Sequence, residues 1–141
     1  MKKFINLSLI FGIVGLALGV YYREATKFTN FYENGGVRTQ LAYTHVHTLV
    51  LGMIFMLVIG ILLHLKNKTA SDVKIPLIIY LTGLISAITM MVVRGSFQVF
   101  YKGDISKFDN MLSGIAGLTH IVIGVGLIYL LIEIKKFYKE N

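Results

Sequence analysis

The sequence predicts an all-α fold, an integral membrane four-helix up-down bundle, and three observations lead there. The apolar residues gather into four blocks: Phe4–Tyr22, Leu41–Leu65, Ile75–Val93 and Met111–Ile134. Each is about 19–25 residues long, enough to cross a hydrocarbon core of roughly 30 Å as a helix. The chain is 55% hydrophobic and 15% charged, with one proline in 141 residues and a mean hydropathy of +0.71. That composition excludes disorder and sets the chain apart from an ordinary soluble domain.

The first helix is expected over about residues 4–22. Lys2-Lys3, an apolar run and Ala17-Leu18-Gly19 have the outline of a signal peptide. The run is long for that role and continues into Tyr21-Tyr22, so a retained span is expected. A polar connection from Arg23 to Gln40 follows, and Glu33-Asn34-Gly35-Gly36 marks a turn within it. The second helix is expected over about residues 38–65. A short polar connection, Lys66 to Lys74, leads to a third helix over about residues 75–94. Pro76 suits its first turn, where the N–H it lacks has no intrahelical partner. The segment Gly95 to Asn110 mixes Phe97, Val99, Phe100, Tyr101, Ile105 and Phe108 with polar residues. It is expected to lie along the membrane interface, where aromatic rings prefer to sit. The fourth helix is expected over about residues 109–134. Short connections make consecutive helices antiparallel neighbours in a single domain over 1–141.

The formal charge of +7 raises nucleic acid as a partner, but its distribution argues against it. Lys2, Lys3, Lys66, Lys68, Lys74, Lys135, Lys136 and Lys139 fall at the end that carries both termini. Arg23, Lys27, Arg38, Arg94, Lys102 and Lys107 fall at the other end. This bias favours both termini in the cytoplasm of a multi-pass plasma-membrane protein. The lysines then mark topology and meet lipid headgroups, so the bilayer is the expected partner and nucleic acid is not.

The chain has no cysteine. Disulfides, iron–sulfur clusters, thiolate-bound haem and covalent c-type haem are therefore excluded. It does have intramembrane histidines: His45 and His47 at the start of the second block, and His120 in the fourth. An imidazole in hydrocarbon is costly unless something binds it, which makes each a functional candidate. Imidazole is a common metal ligand, and haem iron suits a bundle of helices in lipid. Counting at about 1.5 Å per residue from the lysines puts all three in the outer half, with His120 roughly 6–9 Å deeper.

Faces sharpen the choice only partly. Ser113, Ala116, Gly117, His120 and Gly124 share one stripe of the fourth helix, which leaves room for either a flat cofactor or a neighbouring helix. His45 shares its face with Thr48, Gly52, Met56 and Gly60, whereas His47 shares its face with Tyr43, Leu51, Ile54 and Val58. The small-residue criterion selects His45 and the depth criterion selects His47. Residues two apart point about 160° from each other, so an unbroken helix cannot bring both to one iron. Arg94 and Arg23 could pair with haem propionates at the outer surface. Arg94 equally suits an arginine reaching from a helix end to headgroups. His64, beside Lys66, reads as a boundary residue, and Glu24 beside Arg23 as a surface pair.

His45-Val46-His47, followed by Gly52, resembles the haem-ligating helix of membrane proteins related to haem-copper oxidases and nitric-oxide-responsive haem proteins. The whole chain, with Tyr22-Arg23-Glu24 and Gly117-Leu118-Thr119-His120, is similar to a family of small four-helix bacterial membrane proteins of the haem-stress type. The resemblance implies haem b held by His45, His47 or His120 and a role in haem or oxidant protection. It does not imply oxidase chemistry: a copper site, a second haem's ligands and a carboxylate proton channel are all missing from the sequence.

The leading expectation is a haem b-binding membrane protein acting in haem sequestration, sensing, stress protection or electron transfer. A second is a small haem-dependent oxidoreductase linked to a quinone or another redox partner, with Tyr21, Tyr22 and Tyr43 near the site. A third is a cofactor-free membrane subunit or transporter. The balance favours a non-enzyme, and helices with small-residue stripes leave faces on which a homodimer could form.

Overall fold

A computed structural model describes residues 1–101, 103 and 106–139. The described residues form four helices: α1 (Lys2–Phe28), α2 (Leu41–Leu65), α3 (Lys74–Phe100) and α4 (Ser106–Lys139). Each is long and apolar enough to cross a membrane, as expected of a multi-pass membrane protein. Their outward faces carry Leu9, Leu16, Val20, Ile121 and Ile128, each more than half exposed. Such an all-round apolar surface suits lipid as the solvent.

The helices outrun their apolar blocks, and the extra turns have identifiable partners. α1 continues through Phe28, where the hydroxyls of Thr26 and Thr29 donate to the carbonyls of Tyr22 and Ala25 at 2.9 and 2.8 Å. The backbone then turns at Asn30 and at Gly35, whose φ of +86° suits a residue without Cβ. α2 begins at Leu41 rather than near residue 38, because Thr39 donates its hydroxyl to Gly95 O of α3 at 3.0 Å. The connection expected from Gly95 to Asn110 is shorter than that: Gly95–Phe100 completes α3, and Ser106–Asn110 opens α4. Ile105 and Lys102 lie outside the described residues. α3 continues because its last turns are packing surface. A Cβ at Gly95 would run into the backbone nitrogen of Leu41.

α2 is not regular. Over Thr48–Ile54 it widens into a π-helical stretch. The buried hydroxyls of Thr44, just upstream, and of Thr48, its first residue, bond back to Leu41 O and Thr44 O at 2.7 Å each. Such back-bonding competes with the helix ladder and often bends it. Neighbouring helices take up carbonyls within the stretch: Tyr80 Oη of α3 donates to Leu51 O at 3.0 Å, and Ser8 Oγ of α1 to Met53 O at 2.9 Å. Satisfying freed carbonyls this way is what allows an irregular turn inside a membrane.

Packing is mainly sequential, with a lighter contact of α1 on α3 where Tyr21 Oη and Ser96 Oγ share a hydrogen bond of 2.8 Å. α1 lies along α2, α2 meets α3, and α4 rests along α3 but not along α1 or α2. Gly126 and Gly83 permit the last contact: a Cβ at Gly126 would sit 2.5 Å from Tyr80 N, and one at Gly83 2.7 Å from Ile123 N. Close backbone approach at small residues is the usual means of helix association in lipid. The main core fills the half nearer the termini, around Phe4, Met56, Ile59, Leu63, Tyr80, Leu84 and Leu130. At that end Tyr138 Oη bonds Leu62 O at 3.1 Å, and Lys66 lies 4.6 Å over the Tyr138 ring. In the adjoining connection Asp72 accepts from Thr69 N and Oγ1, which holds its carboxyl below the usual carboxylate range. In the far half a small cluster of Ala25, Leu41 and Val99 replaces the core.

Candidate functional site

Side chains tie α4 to α2 near the termini, but in the far half the two helices stand apart. The gap is a cleft of about 280 Å³ with three walls. Gln40, Tyr43 and His47 come from the α2 side, Met90, Met91 and Arg94 from α3, and Ser113, Ala116, Gly117 and His120 from α4. A larger hollow of about 870 Å³ lies at the far end between residues 28–36 and 98–101, but neither histidine nor carboxylate lines it.

His47 and His120 face each other across the cleft, with ring centres 6.2 Å apart and planes 86° to each other. In each ring, Nδ1 lies near the carbonyl one turn back: 2.9 Å from Tyr43 O for His47, and 2.7 Å from Ala116 O for His120. A carbonyl can only accept, so Nδ1 carries the proton and Nε2 of the neutral ring is left with its lone pair. Orienting an imidazole through Nδ1–H on a backbone carbonyl is the arrangement that metal-binding histidines commonly use. Two imidazoles bound end-on to one metal at about 2.0–2.1 Å each would put their ring centres roughly 6 Å apart. The observed spacing agrees with that figure. Among the described residues, no group of three or more His, Cys, Asp or Glu side chains could hold a metal ion. A metal in this cleft would therefore take two imidazoles and complete its coordination from another source.

His45 is elsewhere. Its ring stacks on Tyr22 of α1 at 6.4 Å and 11°, against Gly19, and its buried Nδ1 has no partner among the described residues. Of the two criteria applied to α2, depth selected the residue that faces His120, and the small-residue criterion did not. The small residues on the His45 face serve α1: a Cβ at Gly52 would lie 2.5 Å from Phe11 Cγ, and one at Gly60 2.7 Å from Phe4 Cβ. The stripe on α4 differs, because Cβ atoms at Gly117 and Gly124 would meet nothing within 4 Å.

Arg94 lines the cleft, but its Nε and Nη2 donate to the two carboxylate oxygens of Asp109 at 2.8 and 2.7 Å. Gln98 Nε2 adds a third bond to Asp109 at 3.0 Å. Both charged side chains are about four-fifths buried, at 20% and 24% exposure, so the pair is no loose surface contact. Arg23 is 78% exposed, 3.8 Å from Glu24, and is not a cleft residue. His64 is exposed at the opposite end of α2.

Asp109 and Gln98 lie in the amphipathic Gly95–Asn110 segment, whose composition points to the membrane interface rather than to a site. An arginine and an aspartate flanking a short connection between two spans was the available signal. The cleft's Met90 and Met91 looked like ordinary apolar residues, and nothing in their spacing marks them.

The chain belongs to the family described as Protein of unknown function (DUF2871), whose model matches residues 1–137. No match to it was found among curated proteins or among solved structures.

Proposed function

We propose that this chain is a haem b-binding protein of the bacterial plasma membrane, with both termini cytoplasmic and with His47 and His120 as the residues that would hold the iron. One observation carries the proposal: two imidazoles with available Nε2 atoms, on different helices, lie 6.2 Å apart across a cleft with an open side. When bound, haem would supply a one-electron couple at an iron held by two imidazoles, which would favour electron transfer, storage or stress protection over oxygen chemistry. The protein's own residues have definite tasks. Tyr43 O and Ala116 O hold the two rings in the ligating tautomer. Gly117 and Gly124 keep the α4 wall flat and leave its edge open, so an occupant is not confined to the walled volume. Arg94 lines the cleft with its Nε and Nη2 already bonded to Asp109, so a propionate bound there would share the guanidinium with that carboxylate.

Protein purified from haem-replete cells should be red, and its Soret band should sharpen and shift on reduction. A colourless preparation that takes up no added hemin would overturn the proposal. A second reading has its own support. Met90 and Met91 line the same cleft, and thioether sulfur with imidazole suits a soft ion such as cuprous copper. Elemental analysis of the same preparation separates the two: iron with a Soret band supports haem, and copper without one supports the ion.

A further inference from the structure

The spacing of the two histidines has no direct support at their own level, because α2 and α4 do not pack along each other. It must be set through α3. At the far end of the cleft one hydrogen-bonded chain joins all three helices. Gln98 Oε1 accepts from the backbone N–H of Gln40, just before α2, at 2.8 Å. Gln98 Nε2 donates to Asp109 Oδ1 on α4 at 3.0 Å. Asp109 in turn takes both bonds from Arg94 on α3. Beside it, Thr39 Oγ1 donates to Gly95 O, and Leu41 lies directly on Gly95. Among the described residues, Gln98 is thus the one side chain bonded both to the backbone just before α2 and to Asp109 near the start of α4.

We infer that Gln98 and Asp109 form a clamp that sets the distance between α2 and α4 and so positions His47 opposite His120. The physical basis is leverage. His47 is about two turns from Gln40, and His120 about three turns from Asp109, along stiff helices. A splay at the clamp is therefore carried to the imidazoles, which lie between it and the packed end, in proportion to their distance from that end. The packed core near the termini, with Tyr138 on Leu62 O, acts as the fixed end. Neither Gln98 nor Asp109 is among the proposed ligands; both are positioning residues. Their effect on haem rests on the proposed function, and their effect on spacing does not.

The chain has no cysteine, which makes a spin-label measurement direct. Val46 and Leu118 are exposed on α2 and α4 beside the two histidines, and Val46→Cys with Leu118→Cys accepts a pair of nitroxide labels. In the full chain in lipid nanodiscs, without hemin, the parent should give one narrow distance distribution. Asp109→Asn and Gln98→Ala should each lengthen and broaden it. In unlabelled protein the same substitutions should weaken hemin binding on the order of tenfold and shift the spectrum from six- to five-coordinate. Gln98→Ala leaves the Arg94–Asp109 pair intact, so it carries the test if Asp109→Asn fails to fold. Unchanged distances in the folded variants would overturn the clamp. Lengthened distances with unchanged hemin affinity and spectrum would overturn its role in positioning the ligands. A parent that binds no hemin would overturn the proposed function, and the distances would still decide the clamp.

Discussion

The two sides of α2 meet opposite fates within three residues of sequence. On the His45 side the helix is interlocked with α1, glycine for bulky side chain in both directions. Phe11 and Phe4 fill the spaces at Gly52 and Gly60, and Leu49 and Met53 press on Gly15 and Gly12. On the His47 side nothing comparable fills the space before α4, and an open cleft results. Small residues thus mark a site only when no neighbour occupies them. His45 is held by packing against α1, and His47 lines the open cleft.

Substitutions can break or sharpen this contrast. The largest effect is expected at the histidines. In hemin-loaded protein, His47→Ala or His120→Ala should abolish the six-coordinate absorption spectrum, and His45→Ala should retain it. A spectrum lost only in His45→Ala would reverse the assignment of the two faces. Next comes the interlocked side. Gly52→Ala drives a methyl into Phe11, so it should destabilise the protein by about 1–3 kcal/mol, as overpacking commonly does. Thermal unfolding in detergent measures this, and an unchanged midpoint would mean the α1–α2 contact is loose. The smallest effect has the opposite sign. Gly117→Ala adds a methyl where nothing lies within 4 Å. It should stabilise α4 by up to roughly 1 kcal/mol through helix propensity alone. A marked loss of stability there would show that the α4 stripe is covered, for instance by a second copy.

Much of the architecture was legible in the sequence because the membrane imposes it. A backbone in hydrocarbon must satisfy its own hydrogen bonds, so four apolar blocks become four helices whatever their detailed composition. The limits of the helices were less legible. Apolarity reports where hydrocarbon ends, whereas α1 and α3 continue past that point on local threonine bonds and on the contact between Gly95 and Leu41. The π-helical stretch was not visible at all. It depends on Ser8 and Tyr80, which are distant in sequence from the carbonyls they satisfy.

The candidate site divides along the same line. Residue type and depth alone brought out His45, His47, His120 and Arg94. The sequence by itself determined the number of helices, their order and how far along each helix the histidines lie, because each follows from hydropathy and from a fixed rise per residue. Only the tertiary structure decided that His47 faces His120, that His45 lies under Tyr22, and that Arg94 is held by Asp109 and linked through it to Gln98. The physical reason is rotation. A helix's direction follows from its own composition, but the face it turns inward depends on which neighbours fill which gaps, and that information is spread over the other three helices.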